Sequence, residues 1–148
     1  MQAQLLAPAT VLVLWSVVML IWVGVARLPP LSKRPGGLAA TKPGGRGQDL
    51  EGVLPDSIQW KSHNYTHLME QPTLFYAVVG ILAIVGGTNA GDVAIAWGYV
   101  ALRIVHSIYQ STVNKVTVRF TLFILSTICL VLLAIHAFEL TALAKGTM

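Results

Sequence analysis

His67, Glu70, Arg103, His106 and Arg119 are the residues of this chain best suited to chemistry, and the first four fall inside runs that otherwise read as apolar. An ionised side chain in hydrocarbon costs about 2.5–3.5 kcal/mol even on a lenient insertion scale, so charge retained there marks a functional site. Arginines hold anionic groups by paired hydrogen bonds and favour a neighbouring anion over its protonated form. A lone carboxylate can exchange a proton with a cationic substrate. Two histidines and a glutamate on one helix face can ligate zinc or iron.

Spacing places these groups on two stripes. His63, His67 and Glu70 recur at i, i+4, i+7; Tyr99, Arg103, His106 and Gln110 recur at i, i+4, i+7, i+11. Each set occupies one face of a helix. Counted inward from the helix ends, Glu70 and Arg103 lie roughly 12–14 Å deep, and His67 and His106 roughly 8–9 Å. Two polar stripes at matching depths describe a polar cavity open at one side of a membrane, with Glu70 and Arg103 expected to interact directly or through a ligand. A simple ion pair locking two helices together is the alternative. It leaves both histidines and Arg119 unexplained. Four histidines are few for a membrane di-iron centre, so no metal is assigned.

The elements that must position these residues are membrane helices. The chain has 148 residues, 55% hydrophobic and 11% charged, with a mean hydropathy of +0.68. A soluble domain carries about 25% charge. The length allows one domain, residues 1–148: an all-α integral membrane four-helix bundle with spans at about 5–26, 62–85, 92–111 and 117–140 and a loop over 28–56. The first segment lacks a basic start and a small-residue cleavage site and is expected to be retained. Pro29-Pro30, Pro35-Gly36-Gly37 and Pro43-Gly44-Gly45 are expected to forbid regular structure in the loop. Asp56 with Gln59 resembles a capping box for the second helix, Pro72 should kink it, and Gly86-Gly87 should end it. Asp92 is expected to cap the third helix. The repeat Ala90, Ala94, Gly98 suggests close helix packing. His136 and Glu139 are expected as polar tips at the outer end of helix 4, Trp22 and Trp60 as interface anchors, and the single cysteine, Cys129, as a small core residue.

The basic residues give an orientation. Arg27, Lys33, Arg34, Lys42, Arg46 and Lys61 flank or occupy the first loop; Lys115 and Arg119 flank the third; the second carries no Lys or Arg. Loops rich in Lys and Arg stay in the cytoplasm. Both termini are therefore expected outside. The net charge of +4 suits anionic lipid headgroups and not nucleic acid.

The segments HNYTHLMEQPTLFYAVV (63–79) and AWGYVALRIVHSIYQSTVNKVTVRF (96–120) resemble the MAPEG family, the membrane-associated proteins of eicosanoid and glutathione metabolism. His67 stands where the family commonly has Asn, Glu70 matches its Glu, and Arg103 with His106 matches its Arg–His pair. Tyr109 falls one position before the family's tyrosine, and Gln110 takes that place. Thr66 replaces a common Arg. The pattern is closest to the bacterial branch, which implies a bacterial inner membrane. The resemblance implies a homotrimer that takes glutathione as co-substrate between subunits, with a hydrophobic small molecule arriving from the lipid. It implies roles for His67, Glu70, Arg103, His106, Tyr109 and Gln110 in holding glutathione, and for Arg119 in stabilising its thiolate. The implied activity is a glutathione-dependent transferase or peroxidase acting on hydrophobic electrophiles. A non-catalytic relative with the same fold, and a small proton-coupled transporter using Glu70, stand as alternatives.

The charge bias yields a direct test. A cysteine placed at Gly44 should react with an impermeant reagent only from the cytoplasmic side. Labelling from the outer side would reverse the orientation.

Overall fold

The computed structural model describes residues 1–40 and 42–142; Lys145 lies outside them. The described residues form four helices: α1 (Gln2–Ser32), α2 (Asp56–Val85), α3 (Ala90–Thr112) and α4 (Val116–Ala142). The α1–α2 connection contains two single 3₁₀ turns, Gly37–Ala40 and Gly47–Leu50. α1, α2 and α4 are long and apolar enough to cross a bilayer. α3, at 23 residues, is long enough but less apolar, because its inward face carries Asp92, Arg103, His106 and Gln110.

Helical periodicity selects what is buried. Leu5, Leu12 and Met19 of α1, Leu68, Phe75, Val79 and Leu82 of α2, Ala96, Tyr99 and Val100 of α3, and Leu130, Leu133 and Ala137 of α4 form one core. The rings of Phe75 and Tyr99 stack at 4.2 Å. The opposite faces expose Leu14, Val17, Ile21, Leu74, Ile84, Ile128 and Phe138. So much exposed aliphatic surface is foreign to a protein surrounded by water and suits one surrounded by lipid.

Between the helices the core is stitched by polar side chains. Ser107 Oγ of α3 accepts from Trp15 Nε1 of α1 at 2.9 Å and from Asn64 Nδ2 of α2 at 2.7 Å. Gln71 Nε2 of α2 donates to Thr127 Oγ1 of α4 at 2.8 Å. At the other end of the bundle His136 Nδ1 of α4 meets Asp92 Oδ1 of α3 at 2.8 Å, so His136 is a helix tie and not a free polar tip. Glu139 is exposed.

Several local expectations change. α1 runs through Pro29 and Pro30 to Ser32. Proline's fixed φ is helical, and the two missing N–H groups cost only the bonds to the Val25 and Ala26 carbonyls near the helix end. Asp56 is the first residue of α2, after Pro55, and no side chain caps that end. Gln59 instead accepts from Arg27 Nη2 at 2.6 Å. Asn89 caps α3, accepting from the N–H groups of Gly91 and Asp92, while Asp92 returns a bond to the Asn89 N–H at 2.8 Å. Asp92 is thus the third residue of a capping box. α2 is continuous through buried Pro72 and ends at Gly86, whose φ of 80° suits glycine. Ala90 and Ala94 face outward; of that repeat, Gly98 approaches Cys129 of α4. Trp22 packs under Lys61, whose Nζ lies 5.1 Å from the ring centre.

Ser107 is the junction of three helices. Ser107→Ala should leave one buried and one half-buried donor unmet and lower stability by about 1–3 kcal/mol. Thr121→Ala, on an exposed face, should change it by less than about 0.5 kcal/mol. Denaturant unfolding in detergent compares the two.

Candidate functional site

α3 turns its polar stripe inward because lipid cannot satisfy it. Arg103 is only 2% exposed, and its Nη2 donates to the backbone carbonyl of His67 at 2.8 Å. Three residues on, His106 is equally buried and meets the His67 ring edge to face, with centroids 5.5 Å apart. Phe123 of α4 completes the cluster, 5.9 Å from His67 and 6.5 Å from His106. His67 and His106, expected at equal depth on two stripes, are in contact across α2 and α3.

Glu70 is placed differently. Its side chain is 60% exposed and its carboxylate lies 3.7 Å from His67 Nε2. Arg103 and Glu70 make no direct ion pair, because a helix turns about 300° over the three residues from His67 to Glu70, enough to swing Glu70 toward the rim of the stripe. His63 lines the same polar cavity as His67 and contacts Glu51 of the loop at 2.5 Å. Among the described residues no three His, Cys, Asp or Glu converge as metal ligands do.

Arg119, in the first turns of α4, donates from Nη1 to Asn114 Oδ1 at 2.7 Å. Asn114 holds φ 57° in the α3–α4 turn, a conformation asparagine tolerates better than most residues. The turn therefore both reverses the chain and steadies the guanidinium.

Two cavities meet at these residues. A polar one of about 400 Å³ is lined by Arg27, Gln48, Glu51, Ser62, His63, Thr66, His67, Gln110 and Arg119. A largely apolar one of about 240 Å³ is lined by His67, His106, Val116, Arg119, Phe120 and Phe123. His67 and Arg119 belong to both. Tyr109 lines neither and is half-buried, its carbonyl accepting from the N–H groups of Val113 and Asn114 at the end of α3.

Arg27 was missed from sequence because it reads as a topology marker at the end of the first span. It donates to Gln59 and to the Gly47 carbonyl at 3.2 Å, tying α1, α2 and the loop together. A Cβ on Gly47 would stand 2.8 Å from Arg27 Nη1, so a larger residue there would push the guanidinium aside. The usable clue was long-range: a basic residue at a span's end with a glycine-rich loop to fold back on it.

Buried polar groups in folded proteins are nearly always paired. Here His67 Nδ1, His106 Nε2, Gln110 Oε1, Ser111 Oγ, and Arg103 Nε and Nη1 have no protein partner. Apart from His67 on α2 they belong to α3, and His67, His106 and Gln110 line the cavities. The arrangement offers two arginines, Glu51 and neutral polar groups on one side, aromatic rings on the other, and Arg119 at the junction.

The sequence pattern of the MAPEG family matches residues 5–138. No curated protein and no solved structure matches the chain. The match runs from the first buried leucine of α1 to the last turns of α4 and takes in every residue of the paired cavities. With its four helices and lipid-facing exterior, the chain belongs to the MAPEG family of membrane proteins.

Proposed function

We propose that this protein is a glutathione-dependent membrane transferase or peroxidase that acts on hydrophobic electrophiles. The family supports glutathione-related chemistry at a membrane. The observation that carries the finer reading is the sharing of His67 and Arg119 by a polar and an apolar cavity. A conjugating site must hold a charged tripeptide beside an oily partner, with the sulfur where the two meet.

The residues fit the tripeptide. Arg27 and Arg119 supply two guanidiniums for carboxylates. Gln110 and His67 line the polar cavity, where an amide and an imidazole can meet peptide and ammonium groups. Arg119, at the junction, favours S⁻ over SH by charge. Phe120, Phe123 and Val116 exclude water from the electrophile's side. Glutathione supplies a thiolate that forms a bond to the electrophilic atom as that atom's leaving group departs with the bonding electrons. Arg103, behind the cavities, donates to the His67 carbonyl and so acts as a positioning residue for the α2 face. Glu70, the carboxylate a proton-coupled transporter reading would use, lines neither cavity.

In the same reading the protein is a homotrimer with its polar cavity on the cytoplasmic side. The basic residues of the first loop support the orientation. The exposed stripe Thr66, Glu70, Thr73 on α2 supports the assembly, since a half-exposed carboxylate at this depth is stable only when covered by protein.

Arg119→Leu should leave assembly intact and raise the pKa of bound glutathione, so thiolate absorbance in the near ultraviolet appears only at higher pH. Conjugation should fall roughly 10- to 1000-fold, the effect of losing one charge-stabilising group. An unchanged titration would assign the role elsewhere. No thiolate in the unaltered protein would favour a non-catalytic relative.

A further inference from the structure

We propose that the α1–α2 loop encloses a binding site for the phosphate headgroup of an anionic phospholipid, distinct from the paired cavities. The loop folds around a cavity of about 590 Å³ lined by Leu31, Arg34, Lys42, Arg46, Asp49 and Leu50, among others. Three of these side chains are cationic and one is anionic. The ion pairs among the described residues all involve histidine, so none of the three cations is matched by a carboxylate. Asp49 spends one oxygen on the backbone N–H of Arg46 at 2.8 Å.

The basic residues are held in place by the backbone. The carbonyl of Arg34 accepts from the Gly37 N–H at 2.8 Å, that of Lys42 from Gly45 at 2.9 Å, and that of Arg46 from Asp49 at 3.0 Å. Each cation therefore opens a hydrogen-bonded turn, which fixes its Cα without burying its head. A random basic tether would lack that order.

Position and lining select the ligand class. At 1.5 Å per residue the 31-residue α1 is roughly 46 Å long, so it outruns a hydrocarbon core of about 30 Å. Its end, where Leu31 and Arg34 begin the cavity, thus falls at headgroup level. Leu31, Ala40 and Leu50 give the cavity an apolar side, suited to the glycerol and first methylenes of a lipid. A free phosphate would need only the cations. Gly47 lines this cavity and the polar one, so a bound headgroup would brace the loop that Arg27 holds over the polar cavity.

The test is native mass spectrometry of the detergent-solubilised protein titrated with dioleoyl phosphatidylglycerol or dioleoyl phosphatidylcholine. The anionic lipid should bind tighter. Each basic contact with an anionic headgroup contributes roughly fivefold, so the preference should be on the order of 100-fold. Arg34→Gln/Lys42→Gln/Arg46→Gln, all at exposed positions, should abolish the preference. Lys42→Glu alone should weaken it at least tenfold if the triple variant does not fold. Lys33→Gln, one residue outside the cavity lining, should leave it unchanged. Equal binding of the two lipids would overturn the proposal. So would a loss in Lys33→Gln as large as in the cavity variants, which would mean diffuse attraction. Displacement of the lipid by an equal concentration of glycerol 3-phosphate would also overturn it, by assigning the site to free phosphate.

Discussion

The burial of Arg103 constrains the rest of the bundle. A guanidinium cannot be neutralised by losing its proton, so it must be surrounded by acceptors or reach water. At the depth where α3 carries it, lipid offers neither. The helix therefore faces it inward against α2, where the His67 carbonyl takes one of its hydrogens. That contact fixes the rotation of α3, and the rotation carries His106, Ser107 and Gln110 into the interior with it. Ser107 then joins α1 to α2, and His106 comes to rest against His67 and Phe123. The polar cavity follows from where one charged side chain cannot go.

The same constraint explains the division of labour among the helices. α1, α2 and α4 carry the apolar exterior, and α3 contributes the polar interior. α4 enters the site only at its first turns, through Val116, Arg119, Phe120 and Phe123. Asn114, in the turn before it, aims Arg119 back at α2. A cation at the boundary of a polar and an apolar cavity is well placed to stabilise an anion on a group that must then react with something oily. At the far end of the bundle the Asp92–His136 contact joins α3 to α4 without touching the cavities.

Much of this was legible in the sequence. Hydropathy located all four helices, and depth along them matched His67 with His106. What failed were features decided by neighbours distant in sequence. Asp56 and Gln59 have the spacing of a cap, but Gln59 is claimed by Arg27 from another helix. Asp92 reads as a cap until Asn89, three residues earlier, is seen to accept both bonds. Pro29-Pro30 reads as a break, yet proline's φ is helical and near the helix end only two carbonyls lose their donors. Equal depth suggested a Glu70–Arg103 pair, but depth is one coordinate and rotation is the other. Glu70 lies on the outward side of its helix. Arg27's part in the polar cavity needed a folded loop to become visible.

If the sulfur of glutathione sits at the shared edge formed by His67 and Arg119, substituents on that sulfur must enter the space beside Val116, Phe120 and Phe123. Calorimetry of S-methyl-, S-butyl- and S-hexylglutathione on the detergent-solubilised protein reads this directly. Affinity should rise with chain length, by up to about 0.8 kcal/mol for each methylene buried, until the apolar cavity is full. Affinity that stays level or falls as the chain grows would contradict a sulfur placed between the two cavities.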